Sequence, residues 1–401
     1  MFIRLAWRSL LNRKGSVALT FLAISVSVFV LLGIEHIRQQ AKFSFNNTVS
    51  GVDLIVGART GDINLLLYSA FRLGSATNSV TWESYQKIAE MPKVAWTIPI
   101  SLGDSHKGYR VMGTTIDYFK HFRYGQKKTL EFTHGEAFSE VFDVVLGAVV
   151  ARKLNYQLND KLVLAHGIAS TSFSLHDKTP FRVVGILKPT GTPVDYTLHV
   201  SLSGIEAIHS DSALYDVTPK TITAFMVGLH SKMATFHMQR EINNYRSEPL
   251  SAILPGVTLT QLWHMMTIME NTLILVSALV LLASLLGLSA MLLTSIRERQ
   301  REIAIMRSLG APPLFVFMLI QTEALLITLA SSVFALLLLF VSLLCFQNFL
   351  ADSFSLSIST YVLDKNILYL LLSIIISALV VSLIPAISAY STALQKTLNN
   401  V

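Results

Sequence analysis

Thiols are nearly absent from this 401-residue sequence, in which Cys345 is the single cysteine. An intramolecular disulfide is therefore excluded, and so is a metal centre built on thiolates. Nucleotide chemistry has no foothold either. No G-x-x-x-x-G-K-S/T run occurs to cradle phosphates with backbone amides, so the chain cannot hydrolyse a nucleotide in the usual way. No G-x-S-x-G elbow presents a nucleophilic serine. Neither an internal repeat nor a low-complexity linker is evident. The eleven histidines, from His36 to His264, never approach one another closer than the seven positions between His230 and His237. None has the short spacing of local chelation. Scattered core and surface histidines fit that pattern, and assembly of distant ligands by the fold stays open.

What the sequence has is long apolar runs, unevenly placed. Val17–Ile34 is an uncharged stretch of 18 residues. At ~1.5 Å per helical residue it matches the ~30 Å hydrocarbon core of a bilayer. Its length, and Glu35-His36-Ile37-Arg38 in place of a small-residue cleavage site, mark an uncleaved anchor and not a signal peptide. Three further runs lie near the C-terminal end: Asn271–Ile296, Phe315–Phe346 and Ile367–Ile384. The third exceeds the hydrocarbon core, so its N-terminal part is expected to protrude or tilt, which puts Glu323 near an interface. The fourth is expected to end before Pro385, which disrupts a helix interior.

Charge sets the expected topology. Residues 35–270 hold 22 Lys+Arg and 20 Asp+Glu, while the remainder holds 10 and 5. The basic excess thus sits beside membrane helices and does not signal nucleic-acid binding. Arg4, Arg8, Arg13 and Lys14 precede the first span, and Arg297, Arg299, Arg301 and Arg307 follow the second. By the positive-inside tendency both termini and the 297–314 segment are cytoplasmic, with residues 35–270 outside.

The expected organisation is a cytoplasmic helix at 1–16, spans at 17–34, 271–296, 315–346 and 367–384, a cytoplasmic turn at 297–314, a short outer loop at 347–366 and a cytoplasmic tail at 385–401. In residues 2–15, Ile3, Ala6, Trp7 and Leu10 share one helical face, with Arg4 and Arg8 on another. Two readings stand for this pattern: an amphipathic helix lying on the inner leaflet, or a basic flank that only orients the first span. The outer domain alternates β-rich runs (Val52–Val56, Trp96–Ile100, Tyr109–Met112, Lys161–Leu164, Phe181–Leu187, Leu198–Ser201, Thr221–Leu229) with helical ones. The helical runs are Trp82–Met91 with Thr81 as N-cap, Ala148–Leu154, Gly204–His209 and Lys232–Tyr245. The fold class is therefore an α-helical membrane protein with four transmembrane helices, one plus three, and a large α+β extracytoplasmic domain between the first and second. The apolar stretch Gly61–Val80, with Leu65, Leu66, Leu67, Tyr68 and Phe71, reads either as buried core or as a contact surface.

The sharpest local signal lies between the second and third spans. In Arg301–Gly310, Ile303, Met306 and Leu309 fall on one helical face while Arg301, Glu302 and Arg307 project elsewhere. Gly310 offers a C-cap, with Pro312 and Pro313 just beyond. This is a short amphipathic helix held between two spans, suited to the groove of a soluble partner. The alternative is a charged turn that only fixes topology.

The stretch Arg301-Glu302-Ile303-Ala304-Ile305-Met306-Arg307-Ser308-Leu309-Gly310-Ala311 resembles the segment after the second span of the MacB/FtsX/LolC-LolE permeases, the type VII ABC transporters. Leu5-Ala6-Trp7-Arg8-Ser9-Leu10-Leu11 is similar to their opening helix. Val145-Leu146-Gly147, Ala151-Arg152-Lys153-Leu154, Asn159-Asp160-Lys161-Leu162 and Phe181–Leu187 resemble their outer core domain. The resemblance implies a permease subunit without a fused ATPase domain and without enzymatic activity of its own. It implies that the subunit dimerises with itself or a sibling and docks a cytoplasmic ABC ATPase dimer, which binds ATP-Mg; no cofactor is expected on this chain. Coupling would run through Arg301, Glu302, Ile303, Met306, Arg307, Leu309 and Gly310. Glu323 matches an acidic position near the start of the third span, read as an ion pair with a cytoplasmic arginine or as simple snorkelling. Membrane lipids and an outer protein or lipoprotein are the further partners implied. The expected role is export or lipoprotein release across a bacterial inner membrane. An FtsX-like regulator that signals without moving substrate is the alternative, although the outer domain is larger than that family's.

Overall fold

A computed structural model describes residues 2–11, 13–167, 179–209, 218–299, 303, 305, 308, 310–354 and 362–398. It divides into two compact units. One is drawn from Met1–Gln40, Thr267–Phe349 and Ile358–Val401, the other from Ala41–Met266 and Leu350–Ser357.

The first unit is helical. Among the described residues, four helices are long and apolar enough to cross a membrane: Lys14–Thr48, Pro255–Glu298, Pro313–Phe346 and Lys365–Ser391. A shorter helix, Phe2–Leu11, precedes them. Helical structure outruns hydropathy in the first three, because apolarity there ends without a helix breaker. The first helix continues past Ile34 and stops at Thr48, just before Gly51, whose φ of +82° suits the left-handed region open to glycine. The third runs on to Phe354, so part of the expected outer loop at 347–366 is helix instead. The fourth run does break before Pro385, as expected, but helix resumes at once. A helix from Lys365 to Val381 yields at Ser382 to a second one, Leu383–Leu398. Pro385 then falls in a first turn, where a missing N–H costs little.

These helices share one apolar core that includes Ile24, Leu32, Leu288, Ile320, Ala335 and Ile374. Serines tie them laterally. The Ser27 and Ser284 hydroxyls lie 2.6 Å apart, and Ser289 donates to the Val381 carbonyl at 2.8 Å. Ser382 donates to Gln321 Oε1 at 2.9 Å. Small hydroxyl residues let apolar helices approach closely while supplying hydrogen bonds that lipid cannot.

The second unit is α+β. Its main sheet runs, in spatial order, Leu250–Ile253, Leu54–Ala58, Ala224–Leu229, Val94–His106, Tyr109–Thr114, Thr197–Ser201, Asp143–Leu146, Phe181–Leu187 and Phe132–Gly135. Ala165–His166 pairs with Val94–His106, and Lys161–Leu162 with Phe181–Leu187. Only two contacts on the main path are parallel, Thr197–Ser201 on Tyr109–Thr114 and Phe181–Leu187 on Asp143–Leu146. The stretch Leu65, Leu66, Tyr68 and Phe71 is buried core, carried on the helix Asp62–Ala70. Burial of side chains of this size is worth roughly 1.5–3 kcal/mol each.

The family-like stretch 145–162 has a local physical logic. Strand Asp143–Leu146 turns at Gly147 into helix Ala148–Leu154. A Cβ on Gly147 would lie 2.3 Å from the Val194 carbonyl oxygen, so the close approach requires glycine. Asn155 caps the helix in the left-handed conformation at φ 54°, and Asn159 repeats it at φ 70°. Asparagine tolerates that region better than most residues.

One core group couples stability to pH. His199 is fully buried, with its ring stacked on Tyr118 at 5.2 Å and edge-on to Phe119. Burial, helped by the nearby Arg72 guanidinium, pushes its pKa from 6.5 down to about 3. Between those values the unfolded chain binds a proton that the folded chain refuses, so stability is whole above the unfolded pKa and drains as pH falls. By pH 4.5 the loss reaches about 2–3 kcal/mol. His199→Leu should flatten the fall in Tm between pH 7 and pH 4.5, as read by thermal melts of the purified chain in detergent. An unchanged slope would exonerate this residue.

Candidate coupling site at one end of the helical bundle

The functional candidates predicted from sequence gather, where described, at the end of the helical unit that holds the N-terminal helix. Ile303 is half-buried and packs against the shared helical core. Gly310 adopts φ +91°, with nothing within 4 Å of where a Cβ would sit, so the backbone conformation and not crowding favours glycine there. Arg301, Glu302, Met306, Arg307 and Leu309 lie outside the described residues. Ile305 and Ser308 are helical and exposed, and Ser308 donates to the Ile305 carbonyl at 2.8 Å. Ile303 packs against the bundle, while Ile305, on the opposite side of the helix, is 60% exposed. The next helix begins at Pro313, where its missing N–H is harmless.

Glu323 is 2% exposed. Its Oε1 accepts from Arg299 Nη1 at 2.9 Å and from Ser9 Oγ at 2.5 Å, while Arg299 also donates to Ser9 Oγ at 2.5 Å. Three elements converge here: the N-terminal helix through Ser9, the chain leaving the second span through Arg299, and the third span through Glu323. Arg13 adds a second clasp, donating to the Ser295 carbonyl at 2.8 Å and pairing with Glu298 at 3.5 Å. The carboxylate therefore does not reach for solvent as a snorkelling residue would. Arg299 and Arg13 were legible only as members of a basic flank, and nothing in Trp-Arg-Ser marked Ser9 as a partner for a residue 314 positions away.

A second ionic cluster lies farther along the first helix. Arg38 clamps Glu35 with bonds of 2.7 and 2.9 Å and reaches Glu270 at 3.6 Å. Gln39 donates to the same Glu35 at 2.6 Å. From Arg13 to Glu35 a helix advances about 33 Å, close to the thickness of a hydrocarbon core. The two clusters thus bracket the apolar slab of this unit.

Comparison with known proteins places this geometry in a family. Residues 17–245 match the MacB-like periplasmic core domain, and residues 274–394 match the FtsX-like permease C-terminal region. Together they define a membrane permease with a large extracytoplasmic-type domain inserted after its first span. The chain belongs to the MacB-like family of ABC transporter permeases. It is 23% identical over 349 residues to the pyoverdine export ATP-binding/permease protein PvdT of Pseudomonas savastanoi pv. phaseolicola, a match covering 81% of this chain and 49% of that protein. The chain spans about half the length of that curated relative. Among solved structures it is similar to the periplasmic region of MacB from Actinobacillus actinomycetemcomitans, at 12% identity and a TM-score of 0.36, covering 54% of this chain and 94% of that one. The extracellular domain of the transporter YknZ from Gram-positive bacteria matches at 13% identity and a TM-score of 0.32, covering 50% and 98%.

Removing either charge from the Arg299–Glu323 pair strands the other in a low-dielectric site, at a cost of about 3–5 kcal/mol. Glu323→Leu and Arg299→Met should each lower the Tm of the purified chain. The double substitution should recover most of the loss, because no buried charge is then left unpaired. Additive losses in this cycle would mean that the two side chains do not interact.

Proposed function

We propose that this chain couples ATP hydrolysis by a partner ATPase to movement of its extracytoplasmic domain, as the permease subunit of an export or lipoprotein-releasing transporter. The observation that carries the reading is the buried Ser9–Arg299–Glu323 cluster. It ties Arg299, where the chain leaves the second span, to the N-terminal helix and to the third span, so a push transmitted at that point reaches the bundle. The exposed Ile305 on that segment is an apolar contact offered to a soluble partner. Continuity of the helices Lys14–Thr48 and Pro255–Glu298, at 35 and 44 residues, supports transmission beyond the membrane. The ATPase would form a dimer, bind ATP-Mg and face the cytoplasm, and a second permease chain would complete the assembly. The cell inner membrane of a bacterium is the setting, with both termini cytoplasmic and the large domain periplasmic. Export is favoured by the name of the pyoverdine relative, and lipoprotein release by the resemblance to LolC-LolE permeases.

The purified chain should show no ATPase activity alone and should stimulate that of its cognate ATPase on co-purification. Ile305→Asp should abolish association in a pull-down while leaving membrane insertion intact. Undiminished association would remove the 297–313 segment from the docking surface.

A further inference from the structure

Three residues distant in sequence meet at one corner of the sheet unit. Asp104 lies near the end of strand Val94–His106, and His166 sits directly opposite it on the paired strand Ala165–His166. Residues opposed in this way share a face of the sheet. His209 closes the helix Leu202–His209 and brings its ring to the same point. The Asp104 Oδ1 to His166 Nδ1 distance is 3.2 Å, His166 Nδ1 to His209 Nε2 is 3.0 Å, and His209 Nε2 to Asp104 Oδ1 is 3.4 Å.

We propose that Asp104, His166 and His209 form a binding site for a divalent transition metal of the zinc type. Three donor atoms at those separations form a nearly equilateral triangle. Ligands bound at about 2.0–2.1 Å in tetrahedral geometry stand about 3.3 Å apart, so the triangle is one face of that polyhedron. The donor set of two imidazoles and one carboxylate suits zinc and excludes hard ions that prefer all-oxygen shells. The ring nitrogens are already sorted. His209 Nδ1 donates to the Ile205 carbonyl at 2.8 Å, which leaves Nε2 with the lone pair a metal needs. Asp104 is 2% exposed, whereas the side chains of His166 and His209 are 61% and 33% exposed. The carboxylate lies inside and the two imidazoles at the surface, from which the ion would enter and water or an outer ligand would complete the shell. Such a metal would staple a strand, the strand paired with it and a helix end separated by as many as 105 positions in sequence.

The test uses the full chain in detergent, stripped with chelator and titrated with Zn²⁺ against a chromogenic competitor. One ion per chain is expected, with a rise in Tm of about 5 °C at saturation, and Co²⁺ should produce the visible absorption of a tetrahedral centre. His166→Ala and His209→Ala replace partly exposed side chains and should fold, yet each should weaken zinc binding by about tenfold or more. His237→Ala, at an exposed histidine elsewhere, should change nothing. Absence of zinc binding by the native chain, or equal binding by the His166→Ala/His209→Ala double variant, would overturn the site and leave a hydrogen-bonded cluster in its place.

Discussion

A carboxylate cannot be left alone among apolar helices, and Glu323 is the place where this chain confronts that constraint. Nearly free of solvent, its carboxyl group needs polar partners to offset its lost hydration. Arg299 and Ser9 provide them, and in doing so they draw the N-terminal helix, the chain leaving the second span and the third span to one point. Hydrophobic packing alone would hold these helices side by side without fixing their register, because apolar contact has no direction. The buried cluster adds the direction. It ties the point where the chain leaves the second span to the bundle that carries it.

The sheet unit handles its own constraints differently. Its core is largely apolar, and two of its buried carboxylates are tied to backbone turns. Asp143 receives the Ser139 and Glu140 amides while pairing with Arg182, and Asp195 receives the amides of Thr190 and Gly191. The stretch that looks like a family signature is thus largely a device of geometry, with glycine at a close approach and asparagines in left-handed turns. Conformational need accounts for those residues without any catalytic role. Asp104, His166 and His209 differ in that they meet across a strand pair and a helix end.

Legibility in the sequence followed the length scale of each signal. The spans and the size of the inserted domain stood out because a membrane demands uninterrupted apolar runs. The seven β-rich runs fall on strands because their Val, Ile and Phe content is long enough to register. Asp143–Leu146 and Leu250–Ile253, at four residues each, went unread, being too short to show a period. Helix Asp62–Ala70 was hidden by its Leu65-Leu66-Leu67 run, since an unbroken apolar cluster reads equally well as helix or strand. Helix ends were misplaced where hydropathy stopped before the hydrogen-bond ladder did, as at Phe346. At the coupling site Glu323 was visible as an oddity in an apolar run. Its partners were not, because pairing across hundreds of positions is a property of packing alone.

The proposed function requires that the 297–313 segment and the inserted domain face opposite sides of a bilayer. Cysteine accessibility tests this most directly. In a Cys345→Ser background, Met233→Cys marks the inserted domain at a site 94% exposed, and Ser308→Cys marks the segment between the spans. With a membrane-impermeant maleimide applied to spheroplasts, the account predicts labelling of the first at once and of the second only after the membrane is opened. Equal labelling of both before opening would contradict it.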